Sequence, residues 1–183
     1  EQLMANKMDT SKQFNDTFKF IRESLKNLMA KHPHREPTLL VSTLGHEEDF
    51  ISADMIAQAA ERAGMETLFA DLPEVEFAPD EGIFARLRDD EYLQVDFWFK
   101  LIPWEFIAFE EPELMDILTK LVVEEKVIIL NPAYTLLFQS KAMLTILWNL
   151  FPNHELLLKT SFNPDEFKDK QAYVEKVIYG REG

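Results

Sequence analysis

The sequence has no cysteine, only five glycines, and far fewer basic than acidic residues: 19 Lys and Arg against 33 Asp and Glu, a formal net charge of −14. Each shortage removes a class of explanation. Without cysteine there is no disulfide framework, no thiolate nucleophile and no cysteine-based zinc site. So negative a field repels phosphate backbones and anionic lipid, which argues against nucleic acid or a membrane surface as partner; it would favour a cation, although a solvated acidic surface with no partner is the commoner reading. No apolar run reaches the roughly 18 residues of a membrane-spanning helix, and the first residues lack the basic-then-apolar pattern of a secretion signal. These absences predict a soluble, cytoplasmic chain.

What is present is ordinary core material. The 183 residues are 46% hydrophobic and include 15 Phe, the size of one domain or slightly more, enough to bury about 70% of the unfolded surface without a staple. The chain opens without an initiator Met, and two of its five glycines fall in the last four positions. Those ends read as a segment of a longer protein.

Hydrophobic spacing divides the chain into helices and strands. Phe14, Phe18, Ile21, Leu25 and Leu28 recur at intervals of four and three, predicting an amphipathic helix over residues 11–31. Two prolines in His32-Pro-His-Arg-Glu-Pro37 end it. Residues 38–44 read as a strand and 45–49 as a short acidic loop. A second helix follows, with Ile51, Met55, Ala59, Ala60 and Ala63 inward and Gly64 as its left-handed cap. Another strand is expected at 67–72. Strand, helix and strand in so short a span make a βαβ unit, hence a parallel sheet covered by helices, and the fold class is α/β. Acid-rich residues 73–91 read as a connection with at most a short β-segment. Residues 95–99 read as a strand near an edge, because Asp96 interrupts it. A helical turn at 103–110 and a helix from Pro112 to Val123, with Leu114, Ile117, Leu118 and Leu121 inward, come next. A buried strand at 127–130, a buried helix at 141–151 and a last strand at 173–178 complete the reading.

Few residues point to chemistry by themselves. There is no Walker loop, nucleophile elbow or dinucleotide fingerprint, and His32 and His34 lack a third metal ligand at a suitable spacing. No catalytic residue and no metal ligand stands out. The loop after the first strand carries Glu47, Glu48 and Asp49, at the carboxyl end of a parallel strand where open α/β sheets bind ligands. The same carboxylates suit a helix N-terminus without any ligand, and the residues alone favour that reading over a cation site. Lys141 opens an apolar helix, where an anion is held well. Lys176 precedes the Gly180-Arg181-Glu182-Gly183 loop, whose backbone N–H groups suit an anion, although a lysine on an edge strand also discourages strand pairing.

Three stretches resemble one family. Phe99-Lys-Leu-Ile-Pro-Trp-Glu-Phe106 is similar to the Pro-Trp-Glu box of the glutathionylspermidine synthase family. Asn131-Pro-Ala-Tyr134 through Ser140-Lys-Ala-Met-Leu-Thr-Ile-Leu-Trp-Asn-Leu-Phe-Pro-Asn-His154 resembles its Trp-x-x-Phe-Pro-Asn-His segment. Tyr173-Val-Glu-Lys-Val-Ile-Tyr-Gly-Arg-Glu-Gly183 resembles its Lys-Pro-Ile-x-x-Arg-Glu-Gly strand and loop, with Val177 in place of the proline. Order and separation agree from about residue 14 to the end.

The resemblance implies an ATP-grasp carbon–nitrogen ligase. MgATP phosphorylates the glycine carboxylate of glutathione, and a polyamine amine such as that of spermidine attacks the acyl phosphate to give an amide. The resemblance places Lys141, Lys176, Gly180, Arg181, Glu182 and Gly183 at the nucleotide and Glu47, Glu48, Trp104 and Glu105 at the substrates. It leaves the amine-site and helix-cap readings of Glu47 and Glu48 level. The magnesium carboxylates are expected before Glu1 and the rest of the ATP-grasp region after Gly183. Residues 1–130 are then a Rossmann-like, substrate-binding pre-ATP-grasp domain and 131–183 the start of the nucleotide-binding region, inactive as a piece. The alternative is a non-catalytic α/β domain that binds a cationic small molecule. No pattern specifies an oligomeric state.

Overall fold

The structure is a computed structural model that describes residues 16–88, 91–167 and 173–179. The chain divides into two compact units, Glu1–Asn131 and Pro132–Gly183. The first unit is built on a four-stranded parallel sheet. Helix α1 (Thr17–Lys31) leads to β1 (Thr38–Ser42), α2 (Glu47–Glu61) and β2 (Glu66–Phe69). An antiparallel meander follows, made of β3 (Val75–Ala78), β4 (Gly82–Arg88) and β5 (Glu91–Val95). The chain then returns as β6 (Phe97–Lys100), α3 (Trp104–Glu110), α4 (Pro112–Val123) and β7 (Ile128–Leu130). The order in the parallel sheet is β2-β1-β6-β7.

Side-chain alternation explains both faces of this sheet. Leu39 and Val41 of β1 and Phe97 and Phe99 of β6 form a core with Leu25 of α1, Ala53, Ala57 and Ala60 of α2, and Met65. Leu40, Trp98, Ser42 and Lys100 occupy the alternate positions of the same two strands, all of them buried. On that side the Phe77 and Trp98 rings lie 5.3 Å apart, and the Trp98 indole N–H donates to Ser42 Oγ at 2.9 Å. The expected βαβ unit is present, with β1 and β2 paired in parallel. Gly64 takes φ +101° after α2, as the cap reading requires.

Several expectations give way. Residues 73–91 are no mere connection: they carry most of the meander, two consecutive hairpins whose strands pair across short turns and whose apolar alternation is diluted by acidic residues. Asp96 does not mark an edge, because β6 lies inside the sheet between β1 and β7. It marks the passage of the chain from one sheet to the other, and its carboxylate accepts from Arg35 and from the Glu36 N–H, each at 2.8 Å. Arg35 also donates to the carbonyls of Lys126 and Glu125, so one guanidinium ties three loops at the amino edge of the sheet. The inward face of α2 is alanine, whereas Ile51 is 76% exposed. Small side chains let α2 approach the sheet and α1 closely, which turns the bulkier stripe outward. The acidic residues expected in a loop form the first turn of α2 instead.

In the second unit, a 3₁₀ turn (Ala133–Thr135) leads into α5 (Leu136–Gln139) and α6 (Ala142–Leu150). Helix α6 is not enclosed as its composition predicted. Thr145 is its one buried residue, while Leu144, Ile146 and Leu150 are exposed. An apolar circumference states a preference for cover, and the short elements described in this unit are too few to surround a helix. Residues 173–177 form no strand, since none is described in this unit to pair with them. They are tethered by the Lys141 N–H, which donates to Ile178 O at 2.9 Å.

Candidate functional site

Four parallel strands put their carboxyl ends on one edge, and the order β2-β1-β6-β7 reverses direction between β1 and β6. That reversal leaves a crevice where open α/β sheets take ligands. Its floor is the register pair Ser42 and Lys100. The loop after β1 turns through Gly45 at φ +83°, where an added Cβ would lie 3.3 Å from Asp71 Oδ2. The turn is held from the neighbouring loop: Thr43 Oγ1 donates to Asp71 Oδ1 at 2.8 Å and accepts from the Gly45 N–H at 3.0 Å. Glu47 and Glu48 follow, both exposed, with Asp49 half-buried. Their placement in the first turn of α2 suits the positive end of the helix dipole.

The loop after β6 carries the Pro103-Trp104-Glu105 box. Pro103 precedes α3 and Trp104 begins it, so the box is a strand-to-helix corner. Trp104 is buried, and its indole N–H donates to Asn131 O at 2.6 Å. Glu105, half-buried, follows on the first turn. Lys100 lies beneath the corner, 2% exposed. Its ammonium donates to Ile102 O at 2.6 Å and stands 3.8 Å from the centroid of the Trp104 ring. Burial pushes the Lys100 ammonium down to about 8, with the nearby Glu105 carboxylate pulling the other way. On the opposite face, a largely apolar groove of about 390 Å³ runs beside α1, lined by Phe20, Ile21, Leu25, Phe99, Leu130 and Asn131 among others.

The fold therefore brings Glu47, Glu48, Trp104 and Glu105 to a single edge of the first unit. In the second unit, Lys141 precedes α6 and is half-buried, and Lys176 is exposed. The Lys141–Ile178 backbone bond brings their two segments together. Gly180, Arg181, Glu182 and Gly183 lie outside the described residues. No group of three or more His, Asp or Glu able to hold a metal occurs among the described residues, and the His32 and His34 rings pack edge to face at 6.2 Å. No described helix is long and apolar enough to cross a membrane. Sequence reasoning passed over Lys100. Its signal is a lysine inside the apolar run Phe97-Trp-Phe-Lys-Leu-Ile102, where a charge needs a reason.

An α/β domain with polar residues gathered at a switch point has the layout in which open sheets take ligands. The family described as "Glutathionylspermidine synthase preATP-grasp" matches residues 1–183. The chain belongs to that family. It is 29% identical over 137 residues to a "Putative acid–amine ligase" of Haemophilus influenzae, covering 74% of this chain and 33% of that protein. It is 28% identical over 183 aligned positions to the bifunctional glutathionylspermidine synthetase/amidase of Escherichia coli, covering 88% of this chain and 29% of that protein. The Shigella flexneri protein of the same name matches to the same extent. The chain thus spans about a third of the length of these relatives.

Proposed function

We propose that this chain is the substrate-binding part, with the opening of the nucleotide-binding region at 131–183, of an ATP-dependent ligase that acts in the cytoplasm and joins a glutathione-like peptide carboxylate to a spermidine-like polyamine. The observation that carries this reading is the position of the family's Pro-Trp-Glu box, which folds onto the switch-point edge that also presents Glu47 and Glu48. MgATP supplies the phosphoryl group that activates the carboxylate as an acyl phosphate. Glu47 and Glu48 receive the ammonium groups of the polyamine that do not react, and Glu105 helps orient the chain between them. Anchoring those charges holds the uncharged attacking amine in line, which converts a bimolecular encounter into a positioned one. Lys141 and Lys176 neutralise phosphate charge, and the backbone bond between their segments supports a shared role. The described residues contain no carboxylate cluster for magnesium, so no step is assigned to a metal ligand of this chain.

The test is ADP release by the complete protein that contains this chain, with MgATP, glutathione and spermidine each omitted in turn. Release that requires both co-substrates is expected. Release that needs neither overturns the coupled reaction. Absence of release across a panel of peptide acids and polyamines, with polyamine binding retained, replaces the ligase by the non-catalytic cation-binding domain.

A further inference from the structure

The side chain that this mechanism leaves unused is Lys100, and its surroundings are unusually complete. Its ammonium bridges Ile102 O and the Trp104 ring. Trp104 donates to Asn131 O, and Asn131 Nδ2 returns a 3.4 Å hydrogen bond to the carbonyl of Lys100 itself. The four residues close a ring that joins the end of β6, the start of α3 and the end of β7. The Leu101 N–H, donating to Ser42 O at 2.8 Å, fixes the same corner to β1. Glu105 on α3 is the charged group that acts on this ammonium. From β1 comes the neutral Ser42, and from the end of β7 the neutral Asn131. A methionine would fill similar volume with no charge to desolvate, so packing alone does not call for a lysine here.

We propose that Lys100 is a positioning residue whose ammonium clamps the Ile102–Pro103–Trp104 corner and thereby holds Glu105 in the orientation that receives the amine co-substrate. The inference rests on the ligase reading for the identity of that co-substrate and on the geometry alone for the clamp. The ammonium stands over the Trp104 ring face, an attraction that a neutral side chain at this position does not offer.

The test compares the complete native protein with K100M. Hydrogen exchange of the segment 101–106 is expected to quicken about tenfold in K100M while β1 keeps its protection. KM for spermidine is expected to rise about tenfold, with kcat and KM for glutathione within about threefold, because misplacing an orienting group weakens the contact it makes. Native exchange in 101–106 for K100M overturns the clamp, whatever the activity. Quickened exchange with an unchanged spermidine KM overturns the role in amine binding. If the native protein turns over no acid–amine pair, the ligase reading falls, and the clamp is still decided by exchange. Should K100M fail to fold, Lys100→Gln, which keeps a polar donor and removes the charge, carries the test: exchange of 101–106 is again expected to quicken, and native exchange in that variant overturns the clamp.

Discussion

Replacing Lys100 with methionine also measures how dry the end of β6 is, through stability rather than activity. Burial lowers the Lys100 ammonium from 10.5 to about 8, against the opposing Glu105. The folded protein therefore releases this proton before the unfolded chain does. Between about pH 8 and 10.5 the unfolded chain binds more protons, so stability rises with pH across that window. Below about pH 8 both states are protonated and the contribution is flat. At about 1.4 kcal/mol per pH unit the full window corresponds to ~3 kcal/mol. Methionine has no proton to release. The difference in unfolding free energy between the native protein and K100M is thus expected to shift by ~3 kcal/mol toward the native protein from pH 8 to 10.5. Urea unfolding read by indole emission follows it, since Trp98 and Trp104 are both buried reporters, and other titrating groups cancel in the difference. A difference that stays constant from pH 7 to 10.5 refutes the reasoning, because it would mean that water reaches the ammonium.

Three further outcomes test other parts of the molecule. Arg35→Met strips donors from Asp96 and from the carbonyls of Lys126 and Glu125; it is expected to cost about 2–4 kcal/mol in urea unfolding, and a cost below ~0.5 kcal/mol would show that the three loops hold without it. The double change Glu47→Gln, Glu48→Gln should weaken spermidine binding about tenfold in calorimetry at low salt and much less at high salt, whereas equal affinities would remove both residues from the amine site. Gly64→Ala introduces a side chain at φ +101° with nothing within 4 Å to clash, so backbone strain alone should cost about 1 kcal/mol; an unchanged unfolding free energy would mean that the turn relaxes freely.

The legible parts of the fold were those in which local spacing and tertiary demand coincide. Leu39 to Val41 had to be a buried strand, Gly64 a cap, and Leu118 and Leu121 the inner face of α4. The meander was hidden because Glu76, Asp80 and Glu81 dilute the alternation around Ile83 and Ala85, although its strands pair as adjacent hairpins. Helix α2 misled because volume decided the packing: Ala53, Ala57 and Ala60 fit against α1 and the sheet where Ile51 and Met55 would not. Lys176 was placed on a strand because it stands beside Val177 and Ile178 in the run 173–178, yet a strand needs a partner and none is described there. At the candidate site the acidic turn and the Pro-Trp-Glu box were visible as motifs. Their arrival at one edge was not, since it follows from β6 entering the sheet beside β1. Lys100 was lost for a related reason: an isolated lysine in an apolar run shows its importance only when its cage of Ile102, Trp104 and Asn131 is seen.

The knot around Arg35 has an engineering consequence. It fastens the amino edge of the sheet, joining the loop before β1, the β5–β6 passage and the approach to β7 through one side chain and a few carbonyls. Between β1 and α2 the turn depends on Thr43, Gly45 and Asp71, and the exposed side chains beside them take no part in that bonding. A designer who wishes to retarget the chain toward a different amine can rewrite the exposed positions 44 and 46–48, keeping Gly45 in its left-handed turn, while the opposite edge keeps the strands in register. Libraries confined to those positions should therefore retain far more folded members than libraries of equal size spread over 32–36 and 124–127.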